Sequence, residues 1–520
     1  MRATKRVMNL AHFLRQAARR LPGEIGFVHG DATWSWGQME ARCQALAGLL
    51  AAQGVGKGDR VLVQSKNGLA MFESMFACFR LGAVWVPTNF RQTPSEVAYL
   101  AAASGAVAML CHPDFPAHPE AARAAAPALR HVMWIGDDAY ETALAACPTP
   151  HLGLADVEHD DPCWFFFTSG TAGRPKAAVL THGQMGFVVT NHLADLMPGA
   201  NSADASLVVA PLSHGAGIHQ LVQVARAVKS VLPGGDRFDP AEAWAMVERW
   251  GVSNMFTVPT ILKMLVEHPS VDQHDHSSLR HVIYAGAPMY RADQKTALAR
   301  LGPVLVQYFG LGEVTGNITV LPPALHSLED GPETRIGTCG IERTAMQVSI
   351  QDDEGAEVAA GVTGEICVCG PAVFAGYHDN PDANAKAFRN GWFRTGDLGH
   401  MDAAGFLYIT GRASDMYISG GSNIYPREIE EAALEHPGIA EIAVLGMPDV
   451  TWGEVGVAVC VARAEVGEAE LLAHLAARIA RYKLPRLVVF WEELPKSAYG
   501  KVPKALIREE LLAHGDWVGG

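Results

Sequence analysis

Between residues 201 and 310 the chain keeps one rhythm. Apolar, β-type runs occur at Ser206–Ala210, Ser253–Val258, His281–Ala285 and Val304–Phe309, and helical patterns lie between them. Strands that alternate with helices need crossover connections, so the segment predicts a parallel sheet covered on both faces. One of its helices is well punctuated: Asp239 is placed to cap, Pro240 suits the first turn, and Glu242 completes a capping-box-like D-P-A-E. The same theme appears earlier, with strands expected at Arg60–Gln64 and Ala83–Val86. The Ala- and Pro-rich stretch 117–150 carries no motif and reads as a peripheral helix and connection.

After about residue 335 short strands with Gly turns replace the long helices, at Val348–Gln351, Glu365–Val368 and Phe406–Ile409. They predict a β-rich subdomain closing the large domain. Residues 411–419 read as a polar, Gly-flanked connector, and the remainder as a small separate C-terminal domain with its own strand–helix pattern. The class is therefore α/β: a large N-terminal domain of doubly wound sheets with a β-rich subdomain, then a small α+β domain.

Bulk properties narrow the function. The chain has 520 residues, which at roughly 150 per domain suggests three to four units. The net charge of −14 argues against a nucleic-acid partner, which would need a basic face. The 9 cysteines are scattered and odd in number, as expected of reduced thiols in a cytoplasmic protein. Cys367 and Cys369 share a strand face and read as two buried core thiols rather than a metal pair. The tract His268, His274, His276 lacks helical spacing and reads as a solvated loop. No apolar run reaches the roughly 18 residues that span a membrane. The first 23 residues hold several Arg and Lys and no acid. That suits a transit peptide, but Leu10, Phe13, Leu14 and Ala17 on one face favour an amphipathic helix ending near Pro22–Gly23.

The sharpest feature is Thr168-Ser169-Gly170-Thr171-Ala172-Gly173-Arg174-Pro175-Lys176, set between the apolar strands Cys163–Phe167 and Ala177–Leu180. Gly170 and Gly173 let the backbone turn its N–H groups toward an anion, three hydroxyls add donors, and Arg174 and Lys176 add charge. It is not a P-loop, because G-x-x-x-x-G-K-[ST] is not met and no helix follows directly. A plain Gly/Ser hairpin is the bland alternative, and the convergence of donors and cations speaks against it.

With these residues the chain resembles the adenylate-forming superfamily: acyl-CoA ligases, peptide-synthetase adenylation domains and luciferases. The resemblance runs over essentially the whole chain, with motifs in order from Thr168 to Lys501. It implies that Thr168, Ser169, Gly170, Thr171, Gly173 and Lys176 cradle the phosphates of ATP. Gly286-Ala287-Pro288, at a strand end, would line the adenine. In Gln307-Tyr308-Phe309-Gly310-Leu311-Gly312-Glu313, Phe309 would stack on adenine, Gln307 would offer its amide, and Gly310 would hold the turn. Glu313 matches the carboxylate that holds Mg²⁺. Gly312 stands where the family usually has Thr, so one hydroxyl donor to the α-phosphate is missing.

In Pro211-Leu212-Ser213-His214-Gly215 the resemblance places His214 and Gly215 at the acyl pocket, with Ala285, Leu311, Gly312 and Asn317 lining it. Asp397, in Gly391-Trp392-Phe393-Arg394-Thr395-Gly396-Asp397, would accept from the ribose diol as an acid between Gly-permitted turns. Arg412 would reach ribose or phosphate. Lys501, beside Gly500, matches the lysine that contacts carboxylate and α-phosphate oxygens during adenylation. Thr168, His214, Glu313 and Lys501 are thus the expected catalytic set. The implied domains are 1–411, a hinge at 412–416 pivoting on Ser414, and a mobile domain at 417–520, with a CoA channel along Gly420 and Gly421.

The implied reaction is ATP-dependent carboxylate–CoA ligation in two steps, and the resemblance allows a homodimer. Two rivals stand beside it. One is an adenylating enzyme that loads a carrier protein, although no carrier segment occurs in these residues. The other is a non-catalytic nucleotide-binding protein, for which Gly312 is the only support. The stretches 211–220, 255–260, 284–290 and 307–320 contain no Lys or Arg, so the acid is expected to be a largely apolar monocarboxylate, aryl or short-to-medium chain. Asn317 and Thr319 are candidates to meet a polar substituent.

Overall fold

The computed structural model describes residues 6–147, 153–168, 174–235, 237–287, 289–331, 334–412, 414–420, 422–496 and 502–517. Their strands form sheets of six, fourteen and five. In the six-stranded sheet, His131–Trp134, Ala108–Cys111, Arg60–Gln64, Val84–Pro87 and Pro162–Thr168 run parallel, and Lys176–Thr181 closes the edge antiparallel.

The parallel part of the fourteen-stranded sheet contains Ala205–Val208, Asn254–Thr257, His281–Tyr284 and Leu305–Phe309. These are the four runs expected from the sequence, each within two residues. The β-rich subdomain is present and is hydrogen-bonded onto this same sheet. Thr319 and Val320 pair with Glu342 and Ile341, and the antiparallel strands Thr338–Glu342, Leu407–Arg412, Trp392–Met401, Gly364–Cys369 and Gln347–Gln351 continue from there.

The cores show why both large sheets need apolar residues on two faces. Between them lies one cluster, to which helices supply Leu14, Leu46, Phe76, Val188 and Leu221, while strands supply Phe27, Val63, Trp164 and Val306. On the outer face of the larger sheet, Trp244, Val247, Leu262, Leu265 and Leu298 pack on Leu207, Met255 and Val282. On the outer face of the smaller, Val97, Leu100 and Ala122 pack on Leu62, Met109 and Phe165. At roughly 1.5–3 kcal/mol for each fully buried large apolar side chain, these clusters dominate the favourable side of folding.

The third sheet pairs Ser422–Ile424, Tyr417–Ser419, Gly453–Ala462, Ile439–Asp449 and Leu487–Phe490. Ile429, Ala433, Leu471 and Leu475 cover one face, and Ile507 and Leu511 the other. This is the expected small α+β unit.

The N-terminal helix is there as His12–Arg20, with Leu14, Ala17 and Ala18 buried. Several expectations need correction. Of the stretch 117–150, the described residues 117–147 hold two helices, His118–Ala125 and Asp138–Ala145, and the edge strand His131–Trp134 rather than one helix and a connection. Short Ala-rich helices and a four-residue strand leave too weak a period to read. Asp239 caps Pro240–Trp250 through Ala241 N–H, but Glu242 does not close the box; its carboxylate accepts from Gly234 N–H at 2.7 Å. Only Cys367 of the cysteine pair is buried; Cys369 is half-buried, with its thiol 3.4 Å from Gln347 Oε1.

The three histidines go separate ways: His268 to Ser270 Oγ, His274 to Glu248, and His276 against the Trp244 ring.

One segment ties the sheets together. Ala375 N–H donates to Val179 O, Val179 N–H to Gly376 O and His378 N–H to Ala177 O, while Phe374 N–H donates to Glu313 O at 2.8 Å.

Candidate active site

Strand Pro162–Thr168 turns back antiparallel as Lys176–Thr181, which sets Thr168 opposite Lys176. Of the loop between them, Ser169, Gly170, Thr171, Ala172 and Gly173 lie outside the described residues. Thr168 Oγ donates to Glu313 Oε1 at 2.8 Å, and Tyr377 O–H donates to the same oxygen at 2.9 Å. Glu313 is 5% exposed, on the short 3₁₀ turn Gly312–Val314. Burial, and then the Glu313 charge, push the Tyr377 hydroxyl well up, so it stays a donor. Lys176 Nζ sits over the Tyr377 ring, 4.9 Å from its centroid. Arg174 turns the other way, onto Tyr99. The sequence had offered no signal for Tyr377; the fold brings it in on the segment that joins the two sheets.

Both hydrogen bonds described for the Glu313 side chain fall on Oε1. That leaves Oε2 as a hard oxygen ligand, the donor type a small divalent cation prefers. Among the described residues no group of three or more His, Cys, Asp or Glu stands ready to hold a metal alone. A cation here would therefore rest on one carboxylate and on phosphate oxygens.

The residues expected at the acyl pocket lie among aromatic rings. Behind Gly312 stands the Phe166 ring, and the His214 ring lies edge-on to it with centroids 5.0 Å apart. His214 precedes helix Gly215–Ala225, and its Nδ1 is 3.3 Å from Ser213 Oγ. Gly215 is backed by Phe256: a Cβ there would meet Phe256 Cε1 at 2.7 Å. Ala285 is buried at the end of strand His281–Tyr284, and Leu311 is half-buried at the start of the Gly312 turn. The Thr319 hydroxyl donates to Cys339 O at 2.6 Å.

Arg343, distant in sequence, is 1% exposed and reaches His192 Nδ1, Asn191 Oδ1 and Gly316 O, with Asp195 Oδ2 at 3.3 Å. Asn317, expected in the pocket, is fully buried beside it.

Among the residues expected to meet the nucleotide, Gln307 Oε1 accepts from Tyr284 O–H at 3.0 Å, which orients the amide and leaves Nε2 to donate. Phe309 ends the same strand and Gly310 follows it, both half-buried. Gly286 has φ +85° and turns the chain into Ala287; Pro288 lies outside the described residues. Asp397 is not between turns but inside strand Trp392–Met401, which Gly396 bends with φ +74°. It faces Arg412 across the strand pair, with Arg412 Nε 3.1 Å from its carboxylate. Beyond them, Ser414 Oγ donates to Asp415 at 3.2 Å, and Gly420 N–H donates to Trp452 O at 2.9 Å. Gly421 and Lys501 lie outside the described residues.

Residues 14–378 match the family model described as AMP-binding enzyme, and residues 428–501 the model described as AMP-binding enzyme C-terminal domain. The chain is 36% identical over 501 residues to a feruloyl-CoA synthase of an Amycolatopsis species, covering 95% of this chain and 97% of the other. It is 34% identical to an indoleacetate–CoA ligase of Aromatoleum aromaticum, covering 96% and 98%. Among solved structures, the o-succinylbenzoate CoA synthetase of Bacillus subtilis with its acyl-adenylate intermediate superposes with TM-score 0.85 at 28% identity, over 95% of this chain and 97% of that one.

Proposed function

The chain belongs to the AMP-binding enzyme family, and on that premise we propose how its own residues carry out ATP-dependent ligation of a carboxylic acid to coenzyme A. It is an AMP-forming acyl-CoA synthetase of the adenylate-forming superfamily. The observation that carries the mechanism is the sharing of Glu313 Oε1 by the Thr168 and Tyr377 hydroxyls.

In the first half-reaction the substrate carboxylate attacks the α-phosphorus of ATP, and pyrophosphate leaves. Thr168 and the loop after it hold the phosphates, and Lys176 adds positive charge. Glu313 would hold Mg²⁺, which supplies charge neutralisation to the phosphates. Lys501 stabilises the charge that develops on the transferred group. Gln307, Phe309, Gly310, Gly286 and Ala287 seat the adenine; Asp397 and Arg412 seat the ribose. Rotation about Ser414 then withdraws Lys501, and the thiol of CoA reaches the acyl-adenylate past Gly420 and Gly421, displacing AMP. Most of the rate comes from positioning and fixed charge, with no covalent enzyme intermediate.

We read the acid as aryl. Phe166, His214 and Phe256 give its pocket flat walls, and two of the relatives above are named for aryl acids. Residues 1–411 would form the adenylating unit and 417–520 the moving one. No helix among the described residues is long and apolar enough to cross a membrane, and a cytoplasmic setting suits nine free thiols.

The test is acid-dependent pyrophosphate exchange followed by CoA-dependent AMP release over a panel of aryl and aliphatic acids. Aryl monocarboxylates should lead. Exchange without CoA-dependent release would instead favour a carrier protein as acceptor.

A further inference from the structure

The hydroxyl of Tyr284 is the meeting point of three side chains. Tyr284 is 0% exposed and stands beside Gln307 in the register of two parallel strands. Its oxygen lies 3.0 Å from Gln307 Oε1, 3.0 Å from His326 Nε2 and 3.0 Å from Gln294 Nε2. Gln294 has its sense fixed, because its Oε1 accepts from Arg291 Nη1 at 2.6 Å; its Nε2 therefore donates to the hydroxyl oxygen. His326 is fixed as well. Its Nδ1 lies 3.0 Å from Pro322 O, a group that only accepts, so Nδ1 carries the ring proton. Burial pushes His326 down to about 4, so the ring is neutral and Nε2 is a bare acceptor. The segment after it is fastened to the helix that carries Gln294, Arg291–Leu301, with Arg291 and Lys295 both on Asp330.

Burial also pushes the Tyr284 hydroxyl up, so it keeps its proton. That single proton has two claimants, Gln307 Oε1 and His326 Nε2. If it goes to Gln307, the amide presents Nε2 outward and His326 Nε2 is left without a donor. The two ends of an amide are alike in size, so turning Gln307 over keeps the same distances. Its Nε2 then donates to the tyrosine oxygen, the tyrosine donates to His326, and every group of the network is paired. In that arrangement Gln307 presents Oε1, an acceptor. Gln307 is half-buried, and among the described residues its amide has no bond beyond the one to Tyr284, so the outward end is open to a ligand.

We infer that His326, acting through Tyr284, sets which end of Gln307 meets the purine and makes the site select a 6-amino base over a 6-oxo one. This rests on the reading above in which Gln307 meets the adenine, and adds what decides its sense. The 6-amino group of ATP donates to Oε1 and leaves the whole network paired. The 6-oxo group of inosine triphosphate needs a donor, so Gln307 must turn its Nε2 outward, and His326 loses its partner. An acceptor stranded beside a buried hydroxyl costs enough to lower kcat/KM by about 10- to 100-fold. Tyr284 and His326 are positioning residues, acting on the base through Gln307.

The experiment measures acid-dependent pyrophosphate exchange with ATP and with inosine triphosphate, using an acid that supports exchange with ATP. It compares the wild-type enzyme with Tyr284→Phe, His326→Leu and Gln307→Leu, each checked for folding by its melting curve. Wild type should favour ATP by at least about 10-fold in kcat/KM. Tyr284→Phe removes the oxygen that holds the amide, so Gln307 turns freely and the ratio should fall toward 1. His326→Leu removes the second claimant and leaves the tyrosine to donate to Gln307, so the ratio should fall at least as far. Gln307→Leu should also bring it toward 1. A merely structural role would depress both nucleotides alike and leave the ratio in place. Equal rates with the two nucleotides in wild type would overturn the inference even if no variant folds, and would leave the ligase reading intact. A ratio lost in Gln307→Leu but kept in folded Tyr284→Phe and His326→Leu would overturn the inference while Gln307 remains the residue that meets the base. A ratio kept in all three would instead count against the adenine reading itself, and the inference would fall with it.

Discussion

Phe166 and Gly312 share one volume: a Cβ at position 312 would lie 2.6 Å from Phe166 Cε1, 2.7 Å from Cδ1, and 2.9 Å from Thr168 Cγ2. The threonine usual in similar enzymes has no room while Phe166 keeps its place. Gly312 is thus the counterpart of a large ring on the neighbouring strand rather than a sign of lost activity. Overpacking costs about 1–3 kcal/mol. Gly312→Thr should therefore slow adenylation by about 10- to 100-fold, and Phe166→Leu in the same chain should restore most of it. Pyrophosphate exchange for both single variants and the double gives the coupling directly. Independent effects would mean that the two positions do not compete.

Tyr377→Phe removes one of the two hydroxyls on Glu313 Oε1 and keeps the ring under Lys176. A hydrogen bond to a charged group is worth about 1.5–3 kcal/mol. The adenylation rate should drop by about 10- to 100-fold, and the Mg²⁺ concentration for half-maximal rate should shift. Glu313→Gln should be worse, by something on the order of 10²–10³. A Mg²⁺ titration unmoved by Tyr377→Phe would reduce that tyrosine to packing.

Lys501→Ala should cut adenylation by something on the order of 10²–10³, the usual cost of one transition-state charge partner. Thioester formation from supplied acyl-adenylate should largely survive under the proposed domain rotation, which withdraws the lysine. Equal losses in both assays would point to damage to the C-terminal domain.

How far the sequence could be read depends on the kind of signal. Strands such as Arg60–Gln64 and Leu305–Phe309 announce themselves, because burial on both faces demands unbroken apolar runs. Thr168, Glu313 and Asp397 sit in local motifs. Tyr377 and Arg343 do not: their roles arise from contacts 64 residues away to Glu313 and 148 away to Asp195, which no local pattern encodes. Asp397 is expected between turns, because Gly residues stand around it, but the chain makes a bent strand there.

Ser414 sits between Arg412, the last residue of one strand, and Tyr417, the first of the next sheet. Proline holds φ near about −65° and removes an N–H. Ser414→Pro should therefore lock one orientation and uncouple the steps, sparing pyrophosphate exchange while CoA transfer falls sharply. Ser414→Ala should stay within a few-fold on both. Normal transfer by the proline variant would move the pivot to Ala413 or Asp415.

Arg343 is buried against the backbone of Gly316, within one of the cation-free stretches, and Asp195 is its ion-pair partner. Monocarboxylates should accordingly exceed matched dicarboxylates in kcat/KM. Efficient turnover of malonate or succinate would require that ion pair to open. Asp195→Asn, which frees the guanidinium, should shift the balance toward dicarboxylates if the variant folds.

The segment that bonds to strand Lys176–Thr181 and also to the backbone of Glu313 bears on how this protein comes apart. Thr168 belongs to one sheet and Glu313 follows a strand of the other, so ATP bound as proposed would cross a seam that the backbone has already sewn. The two large sheets cannot loosen one at a time without breaking those amide bonds and exposing the shared core. Nucleotide should therefore protect both against heat and protease as one cooperative body, while the third sheet, joined through the short connector at Ser414, melts on its own terms.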